Sequence, residues 1–257
     1  MSIDTRAVID PSARIGNNVT IGPFSVIGKD VEIGDETWIG PHVVINGPTR
    51  IGRENRIFQF ASVGEIPQDK KFHGEESALE IGDRNTIREN VTINRGTVDG
   101  GGITKVGNDN WLMAYIHIAH DCIIGNHTIF ANAASLAGHV RIDDYAILGG
   151  FTLVHQFCTI GAHAFCGMGS AISKDIPPFM MVNGNPAQPH GLNTEGLKRH
   201  QFSKETQQAL REAYRIIYRS GLTTQEALSQ LSPLAQTSPE VARMQAFIQN
   251  SQRGIVR

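Results

Sequence analysis

An aliphatic residue falls on every sixth position of this chain. The series opens at Ile3 and runs through Ile9, Ile15, Ile21, Ile27, Ile33, Ile39, Ile45, Ile51, Ile57 and Val63 without a miss. It resumes at Ile81, Ile87 and Ile93, then from Val106 at every sixth residue to Cys166 and Ile172. Helices and strands repeat every 3.6 and 2 residues or so, and a period of six belongs to neither. A second register lies four places after the first and is small or apolar, as at Ala13, Val19, Val31, Val43, Ala134, Val140 and Ala146. Two places per hexad therefore point inward. The place directly after the aliphatic is often Gly, as at Gly16, Gly34 and Gly107, which suits a corner that needs positive φ or close backbone approach.

Hexapeptide periodicity is the signature of a parallel β-helix, whose rungs bury a continuous column of side chains and pair their backbones with the rungs on either side. Three hexads close one triangular rung of eighteen residues, giving roughly nine or ten rungs before the pattern ends near Pro177 and Pro178. Residues eighteen apart then stack about 4.8 Å from one another on the same face. The period alone does not set the hand of the coil.

From Leu192 the spacing becomes helical. Ser203 precedes a segment with Leu210, Tyr214, Ile217 and Tyr218 at separations of three and four, and Gly221 stops it. A second helix is expected after Thr223 and a third after Pro239. The reading is therefore a mainly β chain, with a β-helix over 1–190 and an α-helical domain over 191–257. Two insertions interrupt the column, near 65–79 and 97–105, and long insertions on a solenoid tend to build binding surfaces. The second contains Gly100, Gly101 and Gly102, which read equally as a flexible turn or as part of a site.

A formal charge of −2 over 257 residues gives no reason to expect nucleic acid as a partner. The sequence has no run of about 18 apolar residues and no basic, then apolar, leader, so a cytoplasmic protein that does not span a membrane is expected. Cys122, Cys158 and Cys166 all take inward places, where a thiol acts as a small apolar residue.

Histidine is concentrated in the second half of the column. His117, His120, His139 and His155 all take outward places of their hexads, so none fills the core. The spacing of eighteen stacks His120, Gly138 and Gln156 along one edge. An unperturbed imidazole titrates near pH 6.5 and can take a proton at neutral pH, roughly speaking. A bare glycine N–H can donate to a developing oxyanion, and the neighbouring Asp121 can hold the imidazole in one tautomer, as in a catalytic triad. A metal site is the rival reading for the same histidines, but it needs three or four convergent ligands, and no zinc-like spacing is present. No metal and no cofactor are expected.

The stretch His117-Ile118-Ala119-His120-Asp121-Cys122, with Leu136-Ala137-Gly138-His139-Val140, Val154-His155-Gln156-Phe157, Gly184-Asn185-Pro186 and Glu195-Gly196-Leu197-Lys198-Arg199, resembles the acyl carrier protein–UDP-N-acetylglucosamine O-acyltransferases of lipid A biosynthesis. The resemblance extends over essentially the whole chain. It implies a left-handed coil, and transfer of a 3-hydroxyacyl group from acyl carrier protein to the sugar 3-hydroxyl. By the same resemblance His120 is the general base, Asp121 its support and Gly138 the oxyanion donor. It also implies that His117, His139, His155 and Gln156, with Gln68, Asp69 and Lys71 of the first insertion, contact the sugar nucleotide. Asn193, Glu195 and Arg199 are implied at its uridine diphosphate end. The chain departs from the family in having His200 where a second arginine is common.

Family members are homotrimers with active sites between subunits, which the resemblance implies here. Met168 takes a place that is often glycine in enzymes using longer chains, so it implies a medium-length donor, nearer ten carbons than fourteen. Lys70, Lys71, Arg88, Arg95 and Lys105 are candidates to receive the acidic carrier protein. The alternatives are a related sugar N-acyltransferase or a coenzyme A-dependent acetyltransferase on the same repeat, and an ice-binding column, whose flat arrays of outward Thr are absent.

Overall fold

The computed structural model describes residues 2–257 and turns the period of six into a triangular column, a left-handed parallel β-helix. Most strands are two residues long and end on the aliphatic, as Val26–Ile27 and Val44–Ile45 do. They form three parallel sheets. Face A runs from Ser2–Ile3 to Phe165–Cys166, face B from Val8–Ile9 to Ala171–Ile172, and face C from Arg14–Ile15 to Thr159–Ile160. Ile9 pairs with Ile27 and Ile27 with Ile45, the expected step of one rung.

The core follows from that register. Ile39, Ile57, Ile87 and Leu112 are fully buried, and burying such a side chain contributes about 1.5–3 kcal/mol. The second inward place holds Val19, Val43, Ala134 and Ala146, also fully buried. Polar residues also take this place, as Thr37 and Thr128 do, and on three consecutive rungs between them it holds Asn55, Asn85 and Asn110. Asn85 donates to Asn55 Oδ1 at 3.0 Å, and Asn110 donates through its backbone N–H to Asn85 Oδ1 at 2.9 Å. An amide ladder thus satisfies polar groups that would otherwise be costly to bury.

The glycines after the aliphatic are not the left-handed corners. A Cβ on Gly34 would lie 2.6 Å from the carbonyl carbon of Gly52 on the next rung, so close approach is the reason for glycine there. The positive φ falls two places later, on residues such as Phe24, His42, Phe60, Asp121, His139, Tyr145 and His163. Each left-handed residue costs about 1–2 kcal/mol, and ring stacking between rungs offsets part of it. His42 lies between Phe24 and Phe60, and Tyr145 stacks on His163 with ring centroids 4.8 Å apart.

The three outer faces differ. Face C is charged, with the pairs Arg14–Glu32 and Lys105–Glu80. Faces A and B present Trp111 and Ile129, and Val8, Val26, Val44 and Leu153, all exposed. The edge between A and B adds exposed Phe24, Phe60, Tyr115 and Phe151.

The column continues past the end of the hexads. Met180–Asn183 joins face A in parallel and Gln188–Leu192 pairs back on it antiparallel, so the expected boundary at residue 190 falls inside a hairpin. Helices α1 (Thr194–Arg199), α2 (Lys204–Arg219), α3 (Thr224–Ala235) and α4 (Pro239–Asn250) follow, capped by Asn193, Ser203, Thr223 and Ser238. α1 adds a short helix to the three expected ones. The tail returns to the column, where buried Asp175 accepts hydrogen bonds from Thr159 N–H at 2.8 Å and Ser251 Oγ at 2.6 Å. Among the described residues no helix is long and apolar enough to cross a membrane.

Candidate active site

On face B, His117 pairs with Ser135 and Ile118 with Leu136, and those in turn with Leu153 and Val154. The turns that follow, on the edge between B and C, therefore stack: His120 over Gly138, with His139 N–H donating to His120 O and Phe157 N–H to Gly138 O. A Cβ on Gly138 would lie 2.6 Å from His120 Cε1. The imidazole occupies the space a side chain would take. The Gly138 N–H has no acceptor among the described residues.

Asp121 is the left-handed corner residue of its turn, with φ of 60°, and this folds its carboxylate back beneath His120. The carboxylate is buried, and its Oδ2 lies 2.7 Å from His120 Nδ1. A carboxylate accepts only, so Nδ1 carries a proton, and in the neutral imidazole the lone pair is then on Nε2. The same carboxylate accepts from Thr97 N–H at 2.7 Å and from the Thr97 hydroxyl at 2.6 Å, while Asp121 N–H donates to Thr104 Oγ1 at 2.8 Å.

Two further histidines flank this pair. His139 Nε2 is 3.7 Å from Asp121 Oδ2, and its ring stacks on Phe157 at 4.4 Å. His117 shares a 2.7 Å hydrogen bond with Thr92 Oγ1, and its pKa is held down by burial and then by the charge of His120. His120, Asp121 and His139 bring three donor atoms within 4.8 Å of one another. Asp121 Oδ2 already serves His120 and Thr97, which fits a hydrogen-bonded dyad better than a ligand set. His155 and Gln156 follow one rung on, both exposed.

The triple glycine is a built element. Thr97 caps a one-turn 3₁₀ helix over Val98–Gly100, and Gly101 and Gly102 both take positive φ. A Cβ on Gly100 would lie 2.0 Å from Asp121 Cγ. This insertion closes over the carboxylate, and Thr97, which meets both of its oxygens, is not among the site residues expected from the sequence. From the first insertion, Asp69 and Lys71 line a cavity of about 40 Å³ together with Thr97 and Val98. Gln68 is exposed beside them. Of the candidate basic residues, Arg88 pairs with Glu89, Lys105 pairs with Glu80, and Arg95 donates to Gly47 O. Lys70 and Lys71 are exposed and make no ion pair among the described residues.

The remaining candidates lie elsewhere. Met168 stands on the edge between A and B, 77 % exposed. Asn193 spends its whole amide on structure, accepting from Gly196 N–H and donating to His163 O, both at 3.0 Å. Glu195 pairs with Lys198 at 2.8 Å, and Arg199 is exposed. His200 packs edge-on against Tyr145 and His163, which places α1 on the edge between C and A.

Comparison with known proteins decides the family. The domain described as UDP N-acetylglucosamine O-acyltransferase, domain 2, matches residues 175–256, and the bacterial transferase hexapeptide repeat matches residues 103–138. The acyl-[acyl-carrier-protein]–UDP-N-acetylglucosamine O-acyltransferase of Thiobacillus denitrificans is 59% identical, over 100% of this chain and 99% of its own length. The chain belongs to the acyl-[acyl-carrier-protein]–UDP-N-acetylglucosamine O-acyltransferases. Solved structures of this family superpose throughout. The enzyme of Moraxella catarrhalis matches with a TM-score of 0.98 at 48% identity over 100% of both chains, and LpxA of Acinetobacter baumannii with 0.97 at 50% identity over 99% of both. Within the family fold, the domain 2 match starts at Asp175, the residue that ties the C-terminal tail to the last rung.

Proposed function

We propose that this chain transfers a 3-hydroxyacyl group from acyl carrier protein to the 3-hydroxyl of UDP-N-acetylglucosamine, the opening step of lipid A biosynthesis, in the cytoplasm. The observation that carries the mechanism is the His120–Asp121 pair with its free Nε2, set over the unobstructed N–H of Gly138. His120 Nε2 removes the proton from the sugar hydroxyl as that oxygen attacks the thioester carbonyl. The Gly138 N–H donates to the oxyanion of the tetrahedral intermediate. Collapse breaks the C–S bond, and His120 returns its proton to the departing pantetheine thiol. The donor is already activated as a thioester, so the step needs no cofactor and no covalent acyl-enzyme.

The outer faces support a homotrimer. Three copies with their A–B edges on a threefold axis bury the aromatic edge, and they pack face B of one against face A of the next. Charged face C stays in water. At the outer rim of each contact the B–C edge of one subunit, with His120, faces the C–A edge of its neighbour, with α1. This explains why Asn193, Glu195 and Arg199 lie on a different edge from His120 within one chain. In the assembly Asn193 would hold α1 in place while Glu195 and Arg199 meet the uridine diphosphate. His117, His139, His155, Gln156, Gln68, Asp69 and Lys71 would surround the sugar. A groove of about 760 Å³ between His139, Phe157 and the end of α4 offers the prosthetic arm a path towards the carrier protein.

The acyl chain then lies between faces B and A and runs towards the A–B edge. Met168 stands on that edge three rungs beyond His120, and its side chain limits the donor to about ten carbons by excluding methylenes worth about 0.8 kcal/mol each when buried. The test is an assay of the purified protein with UDP-N-acetylglucosamine and 3-hydroxyacyl carrier proteins of several lengths, beside the 3-amino sugar analogue. Transfer to the amino analogue alone would favour the N-acyltransferase reading.

A further inference from the structure

We infer that the Thr97–Gly102 insertion is a carboxylate clamp that sets the aim and proton affinity of His120 through Asp121, with Thr97 as the positioning residue. The inference rests on the reading of His120 as the base.

A left-handed corner needs no insertion, since the equivalent turns at His139 and Phe157 close without one. Here the extra residues deliver two donors to one carboxylate. Thr97 N–H meets Oδ1 and the Thr97 hydroxyl meets Oδ2, the same oxygen that His120 Nδ1 uses. The Asp121 side chain is only 1% exposed, so water cannot replace a lost donor. Gly100 leaves the carboxylate its space, because any side chain there would collide with it. Thr97 is fixed in turn by capping the 3₁₀ turn, with Gly100 N–H donating to its hydroxyl. Thr104 holds the Asp121 N–H from below.

Thr97 and His120 therefore share one oxygen. While the hydroxyl donates, part of the charge on Oδ2 is spent on it, and the neutral imidazole with a free Nε2 remains available. Without that donor the oxygen faces the imidazole alone, which favours the imidazolium and blocks the base. The other ionisable groups around the pair are His117 and His139 on the column. Asp69, Lys71, Glu75 and Asp99 lie across the small cavity beside Thr97.

The test compares Thr97→Val, Thr97→Ser and Gly100→Ala in the full chain. Thr97→Val is expected to lower kcat about tenfold or more, to leave KM for the sugar nucleotide within about twofold, and to move the acid limb of the pH profile of kcat/KM upward by about half a unit. Thr97→Ser restores both values, and Gly100→Ala reproduces the loss from the other side of the carboxylate. NMR titration of the His120 ring, assigned by its loss in His120→Gln, reads the same upward shift in Thr97→Val without any turnover. An unchanged titration midpoint overturns the clamp. So does a fall in kcat with an unmoved acid limb, or a loss that Ser does not restore. Wild-type protein that transfers no acyl group overturns the functional reading instead, and the titration then decides the clamp by itself.

Discussion

Gly138→Ala isolates the geometry of the proposed oxyanion site in a single methyl group. The backbone at Gly138 does not lie in the left-handed region, so alanine meets no conformational penalty there. The conflict is steric alone. The new Cβ would stand 2.6 Å from His120 Cε1 and 2.8 Å from Nε2, where ordinary contact begins at 3.4 Å. The imidazole must therefore retreat by about 0.8 Å, the difference between 3.4 and 2.6 Å. A misplacement near 1 Å at a reacting group costs about 100-fold in rate, so kcat should fall by about that factor, with the melting temperature nearly unchanged. Steady-state assays with saturating acyl carrier protein donor, beside a melting curve, read the loss. Folded Gly138→Ala with kcat within threefold of wild type would refute the placement of His120 against Gly138.

The other predictions concern the base, the acyl groove, the thiols and acid stability. His120→Ala should lose about 100- to 10,000-fold in kcat with the fold intact, and near-normal turnover would dismiss it as the base. Met168→Gly should shift donor preference among ten-, twelve- and fourteen-carbon chains towards the longer ones; unchanged selectivity would remove Met168 from the groove. Burial pushes the Cys122 thiol up to about 12 and the Cys158 thiol up to about 11, and raises Cys166 as well. Since the thiolate is the reactive form, a thiol-titrating reagent should label none of the three at pH 8 until denaturant is added. Burial, reinforced by His200 and Arg243, pushes His163 down to about 4, and its Nδ1 has no partner among the described residues. The unfolded imidazole titrates near 6.5. This contribution to stability is therefore complete above about pH 6.5 and is lost as the pH falls towards 4, up to roughly 3 kcal/mol. His163→Phe, which keeps the stack on Tyr145 and Phe179, should flatten the fall in melting temperature between pH 7 and 5, and an unaltered pH dependence would count against it.

What the sequence reveals of this site depends on whether counting by six survives. It survives between Ile118 and Ile172, so the stack of His120 on Gly138 is legible from spacing before any coordinate is known. The position of the left-handed corner is not, because glycine marks the tight approach at places such as Gly34 while the strained backbone is carried by stacked rings and by Asp121. The period carries no sign of the Asn55–Asn85–Asn110 ladder either, since nothing in it says that an inward place can be polar if its neighbours are too.

The count fails between Val63 and Ile81, and between Ile93 and Val106, where the chain leaves the column. Thr97 and Asp121 are joined by two short hydrogen bonds, yet no periodic relation connects them, because the insertion closes by side-chain chemistry rather than by rung spacing. The one local hint was Gly100, whose missing Cβ the carboxylate requires. The separation of α1 from His120 has a different origin. Within one chain they occupy different edges, and the proposed trimer, argued from the apolar character of faces A and B against the charge of face C, is what would bring them together. The repeat supplies a rigid ruler for the stacked base and oxyanion donor. On the reading proposed above, the interruptions aim the base, and the apolar faces receive the neighbour that would complete the pocket.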